Sequence, residues 1–333
     1  MGGIILSKIV IIGAGFVGST TAYACMLGGT AQEIVLIDKI KEKARGEVMD
    51  LNHGASFVRP VHIYAGDYSD CRGADIIAIT AGAAQLPGQS RLDLVHTNTR
   101  IMEQIVDSIR PYNQDAILLV ATNPVDIMAY VTWQASGLSS SRVIGSGTVL
   151  DTSRFRHLLS KRCGIDPRNV HAYVIGEHGD SEIPLWSKAN IGGIPLEEFC
   201  EQCPSICSQE NRTDIGRMVR EAAYEIIEGK GATYYAIALA MRRIMDSILR
   251  DEHSVLTVST YIENFYGMSD LYLSLPCVLG RSGVEKVIPF SLVEEEKKQF
   301  INSAEKIQSL LPTAGLKYDI TMKESEVKTQ KSK

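Results

Sequence analysis

Three glycines and one carboxylate near the start of the chain have the spacing of a nucleotide cradle. Gly13-Ala14-Gly15-Phe16-Val17-Gly18 fits the pattern G-x-G-x-x-G. In such a loop the first glycine permits a tight turn, the second lets the backbone approach a pyrophosphate, and the third lets the following helix pack closely on its strand. That helix directs its N-terminal N–H groups and the positive end of its dipole at the phosphates. Asp38 follows at the end of the next apolar run. A carboxylate there accepts the ribose hydroxyls and repels a 2′-phosphate, which favours NAD over NADP as cofactor. A glycine-rich turn and a strand-end aspartate have a plainer reading as turn residues; their common register with a strand and a helix favours the cradle.

Polar groups that a fold alone does not need concentrate in four further segments. Leu150-Asp151-Thr152-Ser153-Arg154-Phe155-Arg156 opens a helix, with Asp151 near its N-terminus. Gly176-Glu177-His178-Gly179-Asp180-Ser181 follows the apolar run 172–175, so His178 sits where a strand ends. Gln85-Leu86-Pro87-Gly88-Gln89-Ser90-Arg91 and Asn123-Pro124-Val125-Asp126 each follow an apolar strand-like run. Open α/β sheets bind ligands at the carboxyl ends of their strands, so the four segments can converge over one crevice. Singly, Asp151 reads as a helix cap, His178 as a satisfied histidine, and the arginines as solvated cations. All four together in one register favour a site.

The elements that must carry these groups are legible as pattern. Runs 8–12, 33–37, 62–65, 75–80 and 116–120 look like strands buried on both faces, and 16–27, 41–51 and 97–110 have helical spacing. Strand and helix in alternation predict a doubly wound parallel sheet, a Rossmann domain over 1–146. Beyond it the rhythm changes: a helix over 151–162, long helices over 211–228 and 233–250, strands 254–261 and 271–279 joined near Gly267, and a final helix over 291–311. This predicts an α+β catalytic domain over 147–311, followed by a mobile tail over 312–333.

Composition narrows the class. Among 333 residues 45% are apolar and 22% charged, which excludes a disordered chain, a fibre and a small disulfide scaffold. The net charge is −5 without a basic block, which argues against nucleic-acid binding. The longest apolar run, 9–18, is half the roughly 20 residues a bilayer span needs. No cleavable secretory signal is evident, so the expected location is the cytoplasm, with the seven cysteines as reduced thiols. Cys200-x-x-Cys203-x-x-x-Cys207 lacks a fourth ligand nearby, so no metal is expected there.

The phosphate loop, TAGAAQLPGQSR, ATNPVD, LDTSRFR and GEHGDS, in that order, resemble the L-lactate/malate dehydrogenase family over about residues 5–311. Within it the chain is most similar to the bacterial L-lactate dehydrogenases. The resemblance implies hydride transfer between NADH and pyruvate. It implies His178 as proton donor/acceptor with Asp151 as its partner, Arg154 on the substrate carboxylate, and Arg91 polarising the carbonyl from a mobile loop. It further implies Asn123 as a hydrogen-bonding partner of the substrate and Thr233 as pocket wall. Gly13, Gly15, Val17, Gly18, Asp38, Lys43, Tyr68, Gly82, Ala83, Gln104, Ala121, Thr122, Asn123 and Ser146 match positions that contact the dinucleotide.

Two finer expectations follow from the same resemblance. Malate-type members place arginine six residues before the loop arginine, where a second carboxylate must be paired; here that position is Gln85. A buried carboxylate facing an amide would stay unpaired at a cost of several kcal/mol, so pyruvate is the expected substrate, with branched 2-hydroxy acids left open. Arg156 lies about 200° around the helix from Arg154, and His171 lies seven residues before His178, at the expected start of the same strand. In similar bacterial enzymes arginine and histidine at these positions bind fructose 1,6-bisphosphate between subunits of a homotetramer. A surface arginine and a strand-end histidine are the plainer reading.

Overall fold

The computed structural model describes residues 7–83, 91–200 and 208–315, with residues 91 and 92 described by backbone alone. Six short apolar segments form parallel strands: β1 (Lys8–Ile12), β2 (Glu33–Ile37), β3 (His62–Ala65), β4 (Ile76–Ile79), β5 (Ile117–Val120) and β6 (Val143–Gly145). They lie in the order β3-β2-β1-β4-β5-β6. Such strands are apolar on both faces because helices cover both sides, here α1 (Phe16–Gly28), α2 (Lys41–His53), α3 (Arg91–Ile109) and α4 (Val125–Ser136). The strand order reverses between β1 and β4, which opens a crevice at their carboxyl ends.

The second half begins with α5 (Val149–Cys163) and five two-residue strands: β7 (Val170–His171), β8 (Val174–Ile175), β9 (Ile183–Pro184), β10 (Asn190–Ile191) and β11 (Ile194–Pro195). Then come α6 (Leu196–Phe199), α7 (Gln209–Lys230), α8 (Tyr235–Leu249), β12 (Ser254–Ile262), β13 (Leu271–Gly280), β14 (Gly283–Val287) and α9 (Glu294–Leu310). Strands β12, β13 and β14 pair antiparallel. Strand β12 bridges β6 at Ser259 and Gly145, so both halves share one nine-stranded sheet. A single buried cluster joins Ile9, Val120 and Ile144 with Met241, Val258, Leu273 and Phe300. A second cluster, with Phe155, Val170, Val174, Ile215 and Val219, lies where α5 packs on α7.

Several sequence expectations shift. The parallel sheet and the α/β class hold, but α3 begins at Arg91 rather than 97, and α8 begins after Thr233 rather than on it. His171 does not share a strand with the residues leading to His178. It ends β7, which pairs with β10, whereas β8 pairs with β9. Cys200 is disulfide-bonded, not the thiol expected. Cys203, Cys207 and residues 316–333 of the expected tail lie outside the described residues, while Leu311–Ala314 form a turn against α3 with Ala314 buried. Among the described residues no helix is long and apolar enough to cross a membrane.

Candidate active site

The loop after β1 is shaped as the glycine spacing predicts. Gly13 has φ +107°, and its N–H donates to the Ile37 carbonyl at 2.7 Å. A Cβ on Gly18 would lie 1.8 Å from the Gly13 oxygen, so no other residue lets α1 start this close to β1. Around Gly15, by contrast, a Cβ would meet only the Lys43 ammonium at 4.0 Å. That open side, beside a cation and a helix N-terminus, fits a pyrophosphate. Asp38 Oδ2 accepts the Ala14 N–H at 2.8 Å and Oδ1 accepts that of Ile40 at 2.9 Å, tying the end of β2 to the loop. The Tyr68 phenol is pushed up by burial and by the nearby Cys71 and Asp38.

The ends of β4, β5 and β6 supply the rest of the cradle. Thr122 Oγ1 donates to the Ala81 carbonyl at 2.8 Å, and the Ser146 N–H donates to Val120 at 2.7 Å. Asn98 on α3 accepts the Ala83 N–H at 2.8 Å and donates to the Asn123 carbonyl at 2.7 Å. It thereby clamps two strand-end segments together, a role that sequence reasoning missed. Gly82, Ala121 and Asn123 stand in these same segments, and Val17 is half-buried on α1. Gln104 is exposed on α3, about 20 Å along the helix from Arg91.

One buried carboxylate organises the opposite wall. Asp151, in the first turn of α5 and 1% exposed, bonds His178 Nδ1 through Oδ2 at 2.6 Å and accepts from Arg154 Nη1 through Oδ1 at 2.8 Å. The start of α5 is fixed because Thr148 turns its hydroxyl to the Val174 carbonyl at 2.5 Å, fastening the helix to β8. Burial would lower the His178 pKa, but the Asp151 charge and hydrogen bond outweigh it and raise it to about 9. Burial likewise opposes ionisation of Asp151, yet the His178 and Arg154 charges hold its pKa below the ordinary value.

Two further carboxyls face this pair, and sequence reasoning gave neither a role. Asp126 Oδ2 accepts the His178 backbone N–H at 2.8 Å, and Oδ1 accepts the Ser259 hydroxyl at 2.6 Å. Burial raises its pKa to about 6. Glu182 is buried with Oε1 lacking a hydrogen-bond partner, and burial followed by the Asp151 charge pushes its pKa well up. Ligand atoms of Asp151, His178 and Glu182 lie within 4.8 Å of one another, but both Asp151 oxygens are already engaged by His178 and Arg154.

Of the residues predicted from sequence, the structure brings His178, Asp151 and Arg154 into one cluster. Thr233 is half-buried immediately before α8, Asn123 lies at the carboxyl end of β5, and Arg91 opens α3. Gln85 and the Arg91 side chain lie outside the described residues. Arg156 does face away from Arg154: its Nε donates to the Ala172 carbonyl at 2.9 Å, with its guanidinium over the Tyr173 ring. His171, the residue before Ala172, is exposed.

Comparison with known proteins agrees with this geometry. Residues 7–145 match the lactate/malate dehydrogenase NAD-binding domain, and residues 148–314 match the lactate/malate dehydrogenase alpha/beta C-terminal domain. An L-lactate dehydrogenase of Acetivibrio thermocellus is 54% identical over 309 residues, covering 93% of this chain and 98% of that protein. One of Thermoanaerobacter pseudethanolicus is 55% identical over 306 residues, covering 92% and 98%. Among solved structures, the minor L-lactate dehydrogenase from Enterococcus mundtii in its ligands-bound form superposes with TM-score 0.91 at 43% identity, covering 94% of this chain and 100% of that one. A lactate dehydrogenase from a Medee basin deep-sea metagenome library gives TM-score 0.90 at 46% identity, covering 93% and 99%. The chain therefore belongs to the lactate/malate dehydrogenase family, whose members are NAD-dependent oxidoreductases.

Proposed function

We propose that the protein is an L-lactate dehydrogenase, interconverting pyruvate and L-lactate with His178 as the proton donor/acceptor. The observation that carries this reading is the double engagement of Asp151, which holds an imidazole and a guanidinium side by side. Asp151 occupies Nδ1, so the free Nε2 is the atom that gives a proton to the carbonyl oxygen or takes it from the hydroxyl. An imidazole with a pKa of about 9 is protonated at neutral pH, as reduction requires. Arg154 pairs with the substrate carboxylate through N–H groups that Asp151 does not use. Arg91 polarises the carbonyl as charge develops on its oxygen, Asn123 adds a hydrogen bond, and Thr233 closes the wall. When bound across the Gly13–Gly18 loop, the dinucleotide supplies or accepts the hydride.

Gln85 sets the preference for pyruvate over oxaloacetate, because an amide leaves a second carboxylate unpaired. The Arg156 guanidinium bonds the carbonyl of Ala172, the residue after the exposed His171, which supports a phosphate site for fructose 1,6-bisphosphate. Helices α1 and α8 pack together and both leave large apolar side chains exposed, among them Tyr23, Leu27, Tyr235 and Leu239. This favours burial against another copy and a homotetramer. Such an enzyme works in the cytoplasm, regenerating NAD at the end of glycolysis. NADH absorbance, followed with a panel of 2-oxo acids with and without the sugar bisphosphate, tests the reading. Pyruvate is expected to react fastest, with its KM lowered by the effector. Faster reduction of oxaloacetate overturns the substrate assignment, and an unchanged KM between pH 6 and 8 overturns the effector assignment.

A further inference from the structure

The segment bearing His178 is fastened residue by residue to three different elements. Gly176 exchanges both backbone hydrogen bonds with Ser274 on β13, at 3.0 Å each. The Glu177 N–H donates to Ser303 Oγ on α9 at 2.8 Å, and the Glu177 carboxylate pairs with Lys306 at 2.6 Å. His178 itself is held by Asp126 at the start of α4, and Asp126 is held in turn by Ser259 on β12. The first two anchors are a neutral bridge and a neutral hydroxyl at the backbone. The third is a carboxylate, 1% exposed, with no cation among its hydrogen-bond partners.

Burying a carboxylate without a cation is costly, and an amide of the same shape would serve both neighbours. Its oxygen would accept from His178, and its nitrogen would donate to Ser259, whose hydroxyl can reverse. Architecture alone therefore gives no reason for the charge. We propose that Asp126 is a positioning residue for the proton-transfer step. Its ionised carboxylate fixes the His178 backbone and places a second negative charge, besides Asp151, against the imidazolium. The proposal rests on the reading of His178 as proton donor. The groups facing His178 are Asp151, with its partner Arg154, from α5, Asp126 from α4 and Glu182 from its own segment; the Glu177 charge acts on Asp126 and is paired with Lys306 from α9. With its pKa raised to about 6, Asp126 is charged at neutral pH.

Asp126→Asn in the full-length enzyme tests this. The expected result is a fall in kcat for pyruvate reduction of about tenfold, and an alkaline limb of the kcat/KM profile moved to lower pH by about half a unit or more. KM for NADH is expected unchanged, with Tm at pH 8 equal to or above that of the wild type. A folded variant with the wild-type limb and kcat overturns the proposal. Should the amide variant not fold, Ser259→Ala withdraws one donor while leaving the carboxylate and its bond to His178. It is expected to raise the pH at which Asp126 protonates, so that an acidic limb near pH 6 moves upward; an unmoved acidic limb overturns the proposal. An alkaline limb that survives in His178→Gln would instead overturn the reading of His178, so the two failures are distinguishable.

Discussion

At the scale of single residues the pairing of buried charges decides the chemistry. Asp151 carries two cationic partners, Asp126 has none among its hydrogen-bond partners, and Glu182 keeps an unpartnered oxygen. The His178 pKa is raised above that of a free imidazole, so its contribution to stability is complete below about pH 6.5. That contribution is lost as pH rises through about 9. Thermal unfolding followed from pH 6 to 10 is therefore expected to show Tm declining across that window in the wild type, and declining less in His178→Gln. Specificity belongs to this scale too. Gln85→Arg is expected to shift the ratio of kcat/KM for oxaloacetate over pyruvate upward by about a hundredfold or more, read by NADH absorbance with both acids. An unchanged ratio would remove position 85 from the account.

At the scale of elements, what was legible in the sequence depended on locality. Strands β1 and β2 coincide with their apolar runs because both faces are buried, with Gly13 and Asp38 directly after them; β3 also coincides with its run, but as the edge strand it leaves His62 exposed and is not buried on both faces as expected. The phosphate loop was legible because its glycine spacing is a pattern within six residues, although Asp38 at the end of β2 and Thr80 at the end of β4 also hold its shape. Gly18→Ala is expected to destabilise the protein by about 3 kcal/mol, because the added methyl meets the Gly13 carbonyl oxygen. Denaturant unfolding of that variant, together with its weakened NADH binding, checks this. Of the two-residue strands only β8 was legible, through the apolar run 172–175; the others are too short for alternation to register. Asp126 and Asn98 were passed over because each acts across the fold, Asp126 on a residue 52 positions away and Asn98 on one 25 away. The Asp151–His178–Arg154 cluster was reached from sequence only through the order of the motifs, since no periodicity joins residues on α5 to the turn after β8.

At the scale of the molecule, the antiparallel strands of the second half extend the parallel sheet of the first through one bridge, Ser259 to Gly145. The same Ser259 holds Asp126, so the seam between the halves is joined to the His178 backbone through one carboxylate. Sequence suggested two separate architectures, and the continuity of the sheet was hidden because a single-residue bridge leaves no pattern. The apolar side chains exposed on α1 and α8 make a second claim at this scale. Leu239→Glu on α8 is expected to yield smaller species than the wild type in analytical ultracentrifugation at equal concentration. An unaltered mass would place the subunit contact elsewhere.

If the His178 imidazole delivers the proton, a single turnover followed by rapid mixing must carry its titration. NADH-loaded enzyme is mixed with saturating pyruvate from pH 6 to 10, for the wild type and for His178→Gln. The predicted result is a wild-type rate that falls as pH rises through about 9, and a variant about a hundredfold to ten-thousandfold slower without that limb. A variant that turns over at the wild-type rate, or keeps the same limb, would contradict the account.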